Sequence, residues 1–208
     1  MKQKNIFIVF NGGLSLENVL IISSSKSACE TLSDFMREAF RCNIRNAETI
    51  QQAKNIFDAN APCDLAIIYS PLSDGNGTLL AEYIIENTAS NCIFIAKAEN
   101  AEKFQERAEK IGIITISRPF NKNFLYQTVK IIEIAMNRSY QLYAETVRLE
   151  RKIDEIRTID KAKFMLMQYR NMTEEEAHNY LEKCAMEKRK KKIIVATEII
   201  DKINEQYI

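Results

Sequence analysis

The sequence predicts an α/β domain built on a five-stranded parallel sheet, followed by an all-α segment. Short apolar runs alternate with helical patterns through residues 18–134, and parallel strands need crossover connections of this kind. Glycine and proline are absent from residues 124–167, where helix-forming residues dominate. Helical spacing of apolar residues then continues to the end of the sequence. Together these observations predict a doubly wound α/β domain and a separate helical bundle.

The predicted strands are nearly continuous apolar runs, typical of strands buried on both faces of a parallel sheet. They span residues 18–23, 42–47, 64–69, 91–96 and 112–117, and the run at 42–47 has the weakest pattern. The helices are predicted at residues 26–40, 48–60, 78–88, 101–112 and from 121 onward. In such a sheet the functional site lies beyond the carboxyl ends of the strands. This edge is expected near Ser23, Tyr69, Ala96 and Arg118.

A seven-residue repeat follows the predicted sheet. Its apolar members are Ala135, Leu142, Leu149 and Ile156, with Ile153 on the same stripe. This spacing predicts a coiled coil over residues 135–156 and hence a homodimer, with Leu142, Leu149, Ile153 and Ile156 at the contact. Ser139 and Thr146 occupy the second core column, where apolar residues are preferred. A long helix that packs back on its own domain remains the alternative.

Residues 153–208 are predicted to form a bundle of three helices. The long helix continues through residues 157–170. A second helix follows Thr173, because Glu176 three residues later completes a capping box. The third helix spans residues 192–207. Four methionines are predicted to fill the core of this bundle: Met165, Met167, Met172 and Met186.

Composition excludes several classes of protein. The 208 residues carry a net charge of +1, so overall charge identifies no partner. The five cysteines are widely spaced and there is one histidine, so we expect free, buried thiols and no metal or other cofactor. No apolar stretch approaches the roughly 20 residues of a membrane helix, so no membrane partner is expected. Free cysteines are typical of a cytoplasmic protein.

The strongest local charge pattern is the segment KCAMEKRKKK, residues 183–192. It holds six basic residues and one acidic residue. Such a run can bind the phosphates of a nucleic acid, with an affinity that falls as salt rises. A solvated surface, or cations that complement the carboxyl end of a helix dipole, is the alternative.

Three segments of the bundle resemble the ANTAR domain, a three-helix RNA-binding module of bacterial transcription antiterminators. They are IDKAKFMLM (159–167), MTEEEAHNYLEKCAM (172–186) and VATEII (195–200). The matching positions are Ala162, Lys163, Leu166, Met167, Thr173, Glu174, Ala177, Leu181, Ala185, Met186, Val195, Ala196, Ile199 and Ile200. The elements before them resemble a response-regulator receiver domain, which implies a flavodoxin-like fold.

The sequence departs from the receiver pattern at the positions that carry phosphorylation. Ser23 and Ser24 stand where receivers have paired acids that hold Mg²⁺, and Tyr69 stands at the phosphorylated aspartate. Ala96 replaces the hydroxyl residue of the fourth strand, and Arg118 replaces the lysine before the last proline. Without carboxylates this edge has neither metal ligands nor a nucleophile. We therefore expect a pseudo-receiver that responds to a protein or small molecule, or that serves only as a platform for dimerisation. Nearby Asp74 is expected to be a poor substitute acceptor.

The resemblance implies that the chain binds a hairpin in a nascent leader transcript, prevents the overlapping terminator from forming, and catalyses no reaction. The residues expected to contact RNA are Lys163, Tyr169, Arg170, Lys188, Arg189, Lys190 and Lys191. For Tyr169, packing against the next helix is the alternative. Two other functions remain open for the tail: docking to a protein partner, and DNA binding through a helix-turn-helix.

The predicted organisation has four parts. They are an amino-terminal extension (1–15), a pseudo-receiver domain (16–134), a coiled-coil linker helix (135–156) and an ANTAR-like domain (153–208).

Overall fold

The computed structural model describes residues 16–207. The predicted extension at residues 1–15 lies outside the described residues. The chain divides into two compact units, the first ending at Arg138 and the second beginning at Ser139.

The first unit is a doubly wound α/β domain, as predicted. Its elements are β1 (Asn18–Ser23), α1 (Lys26–Phe40), β2 (Asn43–Ala47), α2 (Ile50–Asp58), β3 (Leu65–Tyr69), α3 (Gly77–Asn87), β4 (Asn91–Lys97), α4 (Ala98–Ile111), β5 (Ile113–Arg118) and the start of α5 (Lys122–Arg170). All neighbouring strands are parallel, in the order β2-β1-β3-β4-β5. Helix α4 begins three residues earlier than predicted. No loop separates it from β4, since Lys97 is both the last residue of the strand and the residue that precedes the helix.

Alternation of side chains along the strands divides the core into two layers. Leu20 and Ile22 of β1 lie on the face that packs against α2, α3 and α4. Val19 and Ile21 lie on the opposite face, which packs against α1 and the first part of α5. Both faces are therefore covered by helices, and the strands are apolar throughout.

The second unit is an all-α bundle. It contains the carboxyl-terminal part of α5, then α6 (Glu174–Lys188) and α7 (Lys192–Tyr207). Its core consists of small and aliphatic residues from all three helices: Ala162, Met165, Leu166, Ala177, Leu181, Ala185, Val195, Ala196, Ile200 and Ile203. The predicted capping box is present, since Thr173 Oγ1 accepts from the Glu176 amide and Glu176 Oε2 accepts from the Thr173 amide.

Helix α5 is a single helix of 49 residues. The predicted seam residues Leu142, Leu149, Ile153 and Ile156 are 49% to 59% exposed, so the described residues do not cover them. Within residues 16–207, no helix combines the length and apolar character needed to cross a membrane.

Candidate functional site

Ser23 and Ser24 shape the loop at the carboxyl edge of the sheet. The buried Ser23 hydroxyl donates to the carbonyl of Ser25 and accepts from its amide, each at 3.1 Å. The Ser24 hydroxyl donates to the Glu48 carbonyl and accepts from the Ser73 amide, each at 2.8 Å. Both serine hydroxyls are thus hydrogen-bonded to neighbouring groups of the protein, Ser24 also to the Ser73 hydroxyl.

Tyr69 and Arg118 form a direct contact at the same edge. Arg118 Nη1 donates a 2.7 Å hydrogen bond to the Tyr69 hydroxyl. The guanidinium carbon also lies 4.5 Å from the centre of the Tyr69 ring, within range of a cation–π interaction. Arg118 Nε is buried and has no hydrogen-bond partner among the described residues. Ala96, the remaining predicted position, is fully buried at the end of β4.

Asp74 acts as a cap for helix α2. Its carboxylate accepts from the amides of Ile50 at 2.9 Å and Gln51 at 3.3 Å. These backbone hydrogen bonds, led by that of Ile50, hold the pKa of the Asp74 carboxyl below its usual value. The carboxylate therefore stabilises the first turn of α2.

In the helical bundle, Lys163 lies in a nearly enclosed position between two acids. Its side chain is 17% exposed, and Nζ lies 2.8 Å from Asp160 and 3.6 Å from Glu174. The hydrogen bond to Asp160 raises the pKa of the Lys163 ammonium. Lys163 thereby joins α5 to the acidic first turn of α6, and its proposed RNA contact stays a prediction.

Glu198 of α7 lies between two lysines of the basic segment. Lys188 and Lys190 each donate to a different Glu198 carboxylate oxygen, both at 2.5 Å. The hydrogen bonds from Lys188 and then Lys190 lower the pKa of the Glu198 carboxyl to about 2. Lys192 pairs in the same way with Glu182, which is also 3.2 Å from His178.

Arg189 and Lys191 differ from these paired lysines. Both are exposed, and neither forms an ion pair within residues 16–207. Arg189 adopts a left-handed conformation, with φ 50° and ψ 40°. The Lys190 amide donates to the Ala185 carbonyl and the Arg189 amide to that of Met186, which is a Schellman turn. Residues 189–191 of the basic segment therefore form an ordered turn between α6 and α7.

The two remaining predicted contacts occupy different environments. Tyr169 is partly buried against the bundle core, and its contact with RNA stays a prediction. Arg170 is exposed at the last position of α5.

The structure adds one candidate residue to those predicted from the sequence, Tyr180. This residue is 40% exposed on α6 and lies beside Cys184. The positive charges of Arg170 and Lys188 are near enough to act on the Tyr180 hydroxyl. Burial is the main cause that raises the pKa of its hydroxyl. The spacing of Tyr180, Cys184 and Lys188 at four-residue intervals was the available signal, because such residues share one face of a helix.

Two of the four methionine predictions are wrong. Met165 is buried and Met172 is partly buried against the core, as predicted. Met167, by contrast, is 38% exposed and Met186 is 71% exposed. Both lie one residue beyond a core position, Leu166 or Ala185, so helical geometry turns them outward.

Comparison with known proteins finds one domain family and several solved structures that resemble parts of this chain. Residues 147–200 match the ANTAR domain family. A two-component response regulator from Clostridium difficile is similar in structure, with a TM-score of 0.52 and 26% identity over 58% of this chain and 98% of that one. The chain has the receiver-plus-ANTAR organisation of a response regulator.

Other solved structures share the receiver fold. A receiver domain from Clostridium thermocellum matches with a TM-score of 0.53 and 16% identity, over 61% of this chain and 99% of that one. A CheY-like receiver domain from Methanospirillum hungatei matches with a TM-score of 0.52 and 20% identity, over 60% and 99%. No match was found among curated protein sequences.

Receiver and ANTAR domains are regulatory rather than catalytic families. Because ANTAR domains bind RNA, the chain is a regulator with an RNA-binding output. The turn at residues 189–191 and Tyr180 both lie within the part of the chain that matches the ANTAR domain.

Proposed function

We propose that the protein is a dimeric transcription antiterminator whose ANTAR domain binds hairpins of a nascent leader transcript. Binding stabilises the antiterminator hairpin at the expense of the overlapping terminator, so no bond is made or broken by the protein. The receiver-like domain is not phosphorylated on aspartate in this proposal.

The observation that carries the RNA contact is the surface formed by Arg170, Tyr180, Lys188, Arg189 and Lys191. Arg170 and Lys188 lie near a partly exposed aromatic ring. Arg189 and Lys191, which pair with no acid among the described residues 16–207, add two charges on the adjoining turn. Cations contact phosphates, and an exposed aromatic ring stacks on an unpaired base, which together suit a hairpin loop better than a regular duplex.

The dimer is supported by the exposed seam of α5. Leu142, Leu149 and Ile156 repeat at intervals of seven residues on a helix that the described residues leave uncovered. A solvent-exposed apolar stripe of this length needs a partner, and a second copy of the same helix is complementary to it.

The absence of aspartyl phosphorylation is supported by the chemistry of the sheet edge. Tyr69, Ser23 and Ser24 carry no carboxylate, and the three side chains are already hydrogen-bonded to neighbouring groups. Acetyl phosphate labelled with ³²P tests this part. We expect no acid-stable, hydroxylamine-sensitive label on the intact protein, and a label mapped to any aspartate, Asp74 included, overturns it.

The RNA contact is tested by titrating full-length protein with a two-hairpin leader RNA and with duplex DNA across a salt series. We expect selective RNA binding, with a logarithm of the binding constant that falls linearly with log salt at moderate ionic strength. The double variant Lys191→Gln, Arg189→Gln should weaken it at least about tenfold, as expected for two charge-assisted contacts.

Lys161→Gln is the matched control. Lys161 is exposed on α5, but nine residues place it about 180° around the helix from Arg170. The control should bind RNA like the wild type. Equal loss in both variants, or undiminished binding after charge reversal at Lys190 and Lys191, would favour a protein-docking tail. Equal affinity for duplex DNA would favour a DNA-binding regulator.

A further inference from the structure

A cavity opens at the carboxyl edge of the receiver sheet, beside Tyr69. It has a volume of about 710 Å³ and lies between the first turns of α1, the ends of β3, β4 and β5, and the start of α5. This volume is within the roughly 300–1,000 Å³ range of small-molecule sites. The degenerate edge is therefore an open compartment of ligand size.

The charges around this cavity are all positive. Its lining includes Lys97, Arg118 and Lys122, and no aspartate or glutamate. None of these three cations forms an ion pair within residues 16–207, whereas Lys188, Lys190 and Lys192 of the ANTAR domain are paired with acids. Arg118 uses one of its N–H groups, on Tyr69, although a guanidinium has five. The cavity thus holds unneutralised cations with unused donors.

The amino end of α1 reinforces this positive potential. Ser25 caps the helix, and Ser25 and Ser27 contribute to the cavity lining. The positive end of the helix dipole favours an anion there. The helix end and the three side chains therefore act in the same direction.

The remaining wall is apolar. Leu32 and Phe35 of α1 line it together with Pro119, Phe120 and Leu125. Contact with this wall would not stabilise a bound inorganic anion, because burial of apolar surface favours only a ligand that has an apolar part.

We propose that this cavity binds a small organic anion, a carboxylate, sulfonate or phosphate ester that carries an aromatic or aliphatic group. Its acidic group contacts Arg118, Lys97 and Lys122, and its body packs against Phe35 and Phe120. One part of this inference rests on the proposed function: the role of the ligand as the signal that replaces phosphorylation.

The test uses full-length protein and two fluorescent probes of similar shape. 8-Anilinonaphthalene-1-sulfonate carries an acidic group, and N-phenyl-1-naphthylamine is the same aromatic framework without it. We expect the sulfonate to bind at one site per chain, more tightly than the neutral amine. Lys97→Gln with Lys122→Gln removes two charge-assisted contacts, so it should weaken the sulfonate at least about tenfold and leave the amine unchanged.

Two further variants guard against misinterpretation. Thr31→Trp places an indole in the cavity from an exposed position of α1 and should reduce binding of both probes. Lys110→Gln, on α4 and outside the lining, is the matched control and should change neither. Lys97 and Lys122 are exposed, so their removal leaves the core intact.

Three results overturn the proposal. They are sulfonate binding that is insensitive to the lysine changes, equal affinity for the two probes, and complete displacement of the sulfonate by inorganic phosphate at the same concentration. Because no RNA is present, a failed RNA titration with intact probe binding refutes the proposed function alone. The converse pattern refutes the cavity ligand alone.

Discussion

Arg118 lies over the ring of Tyr69 and also donates a hydrogen bond to its hydroxyl. The two strands that carry them, β3 and β5, are separated by β4 in the sheet. The contact therefore crosses the end of β4 on the sheet face that packs against α1 and α5, where Tyr69 lies, whereas Ala96 belongs to the opposite face.

Tyr69→Phe is expected to lower the free energy of unfolding of the receiver domain by about 1 kcal/mol. The substitution removes the hydroxyl that accepts from Arg118 and keeps the ring under the guanidinium. Urea denaturation followed by near-ultraviolet circular dichroism measures the change. Tyr83→Phe, whose hydroxyl donates to the exposed Asp58, is the control and should have a smaller effect. Equal effects would show that the bridge contributes no more than a surface hydrogen bond.

Glu198→Gln is expected to tighten RNA binding several-fold. The change releases Lys188 and Lys190 from their internal partner and makes both available to phosphates. The slope of log affinity against log salt should steepen by about 0.7 for each phosphate newly contacted on a single strand. Fluorescence anisotropy with labelled leader RNA measures both quantities. Weaker binding would mean that Glu198 fixes the two lysines in the geometry that RNA needs.

Arg189→Gly is expected to stabilise the ANTAR domain while weakening RNA binding. Arg189 has φ 50°, a conformation that costs an L-residue more than glycine, so the gain should be about 0.5–1 kcal/mol. Hydrogen exchange of the α6 and α7 amides in the intact chain measures the local stability. RNA affinity should fall because one unpaired cation is lost. A parallel rise in stability and affinity would remove Arg189 from the proposed surface.

Acid should destabilise the ANTAR domain in a defined range. Two lysines lower the pKa of the Glu198 carboxyl from 4.5 to about 2 in the folded state. Because the folded pKa is the lower one, the stabilisation is fully present above pH 4.5 and is lost as the pH falls towards 2. Thermal unfolding of the wild type should therefore depend more steeply on pH in this range than that of Glu198→Gln. A side-chain ¹³C titration with its midpoint near 4.5 would contradict the assignment.

Leu149→Lys is expected to convert a dimer into a monomer. The change places like charges opposite each other in the proposed seam, where Leu149 is 52% exposed in the single chain. Sedimentation velocity of the full chain measures the state at micromolar concentration. Ala144→Lys is the control, because five residues place Ala144 about 140° from Leu149 on the helix. A dimer that survives Leu149→Lys would exclude this seam.

The elements were predictable where the signal is local. The apolar runs of β1 and β3 and the capping box of Thr173 and Glu176 depend only on residues close in sequence, and the structure has all three. The approximate location of the basic surface was also predictable, since the run from Lys188 to Lys192 is contiguous.

The pairing within that surface was not predictable from local pattern. Glu198 meets Lys188 ten residues away only because the Schellman turn at Arg189 folds α7 back against the end of α6. In the same way, Tyr180 gains Arg170 as a neighbour through the packing of α5 on α6. A count of charges along the sequence therefore overstates how many of them are unpaired.

Helix α6 separates opposite charges along its axis. Glu174, Glu175 and Glu176 occupy its first turn and Lys188 its last, and 15 residues span about 22 Å. The screening length is about 8 Å at 0.15 M salt, so an approaching polyanion there senses one end at a time. At 0.01 M it is about 30 Å, and repulsion from the acidic end reaches the basic end. The gain in RNA affinity on lowering the salt concentration should therefore level off at low ionic strength. The RNA backbone should also approach the basic end of α6 and avoid its acidic end.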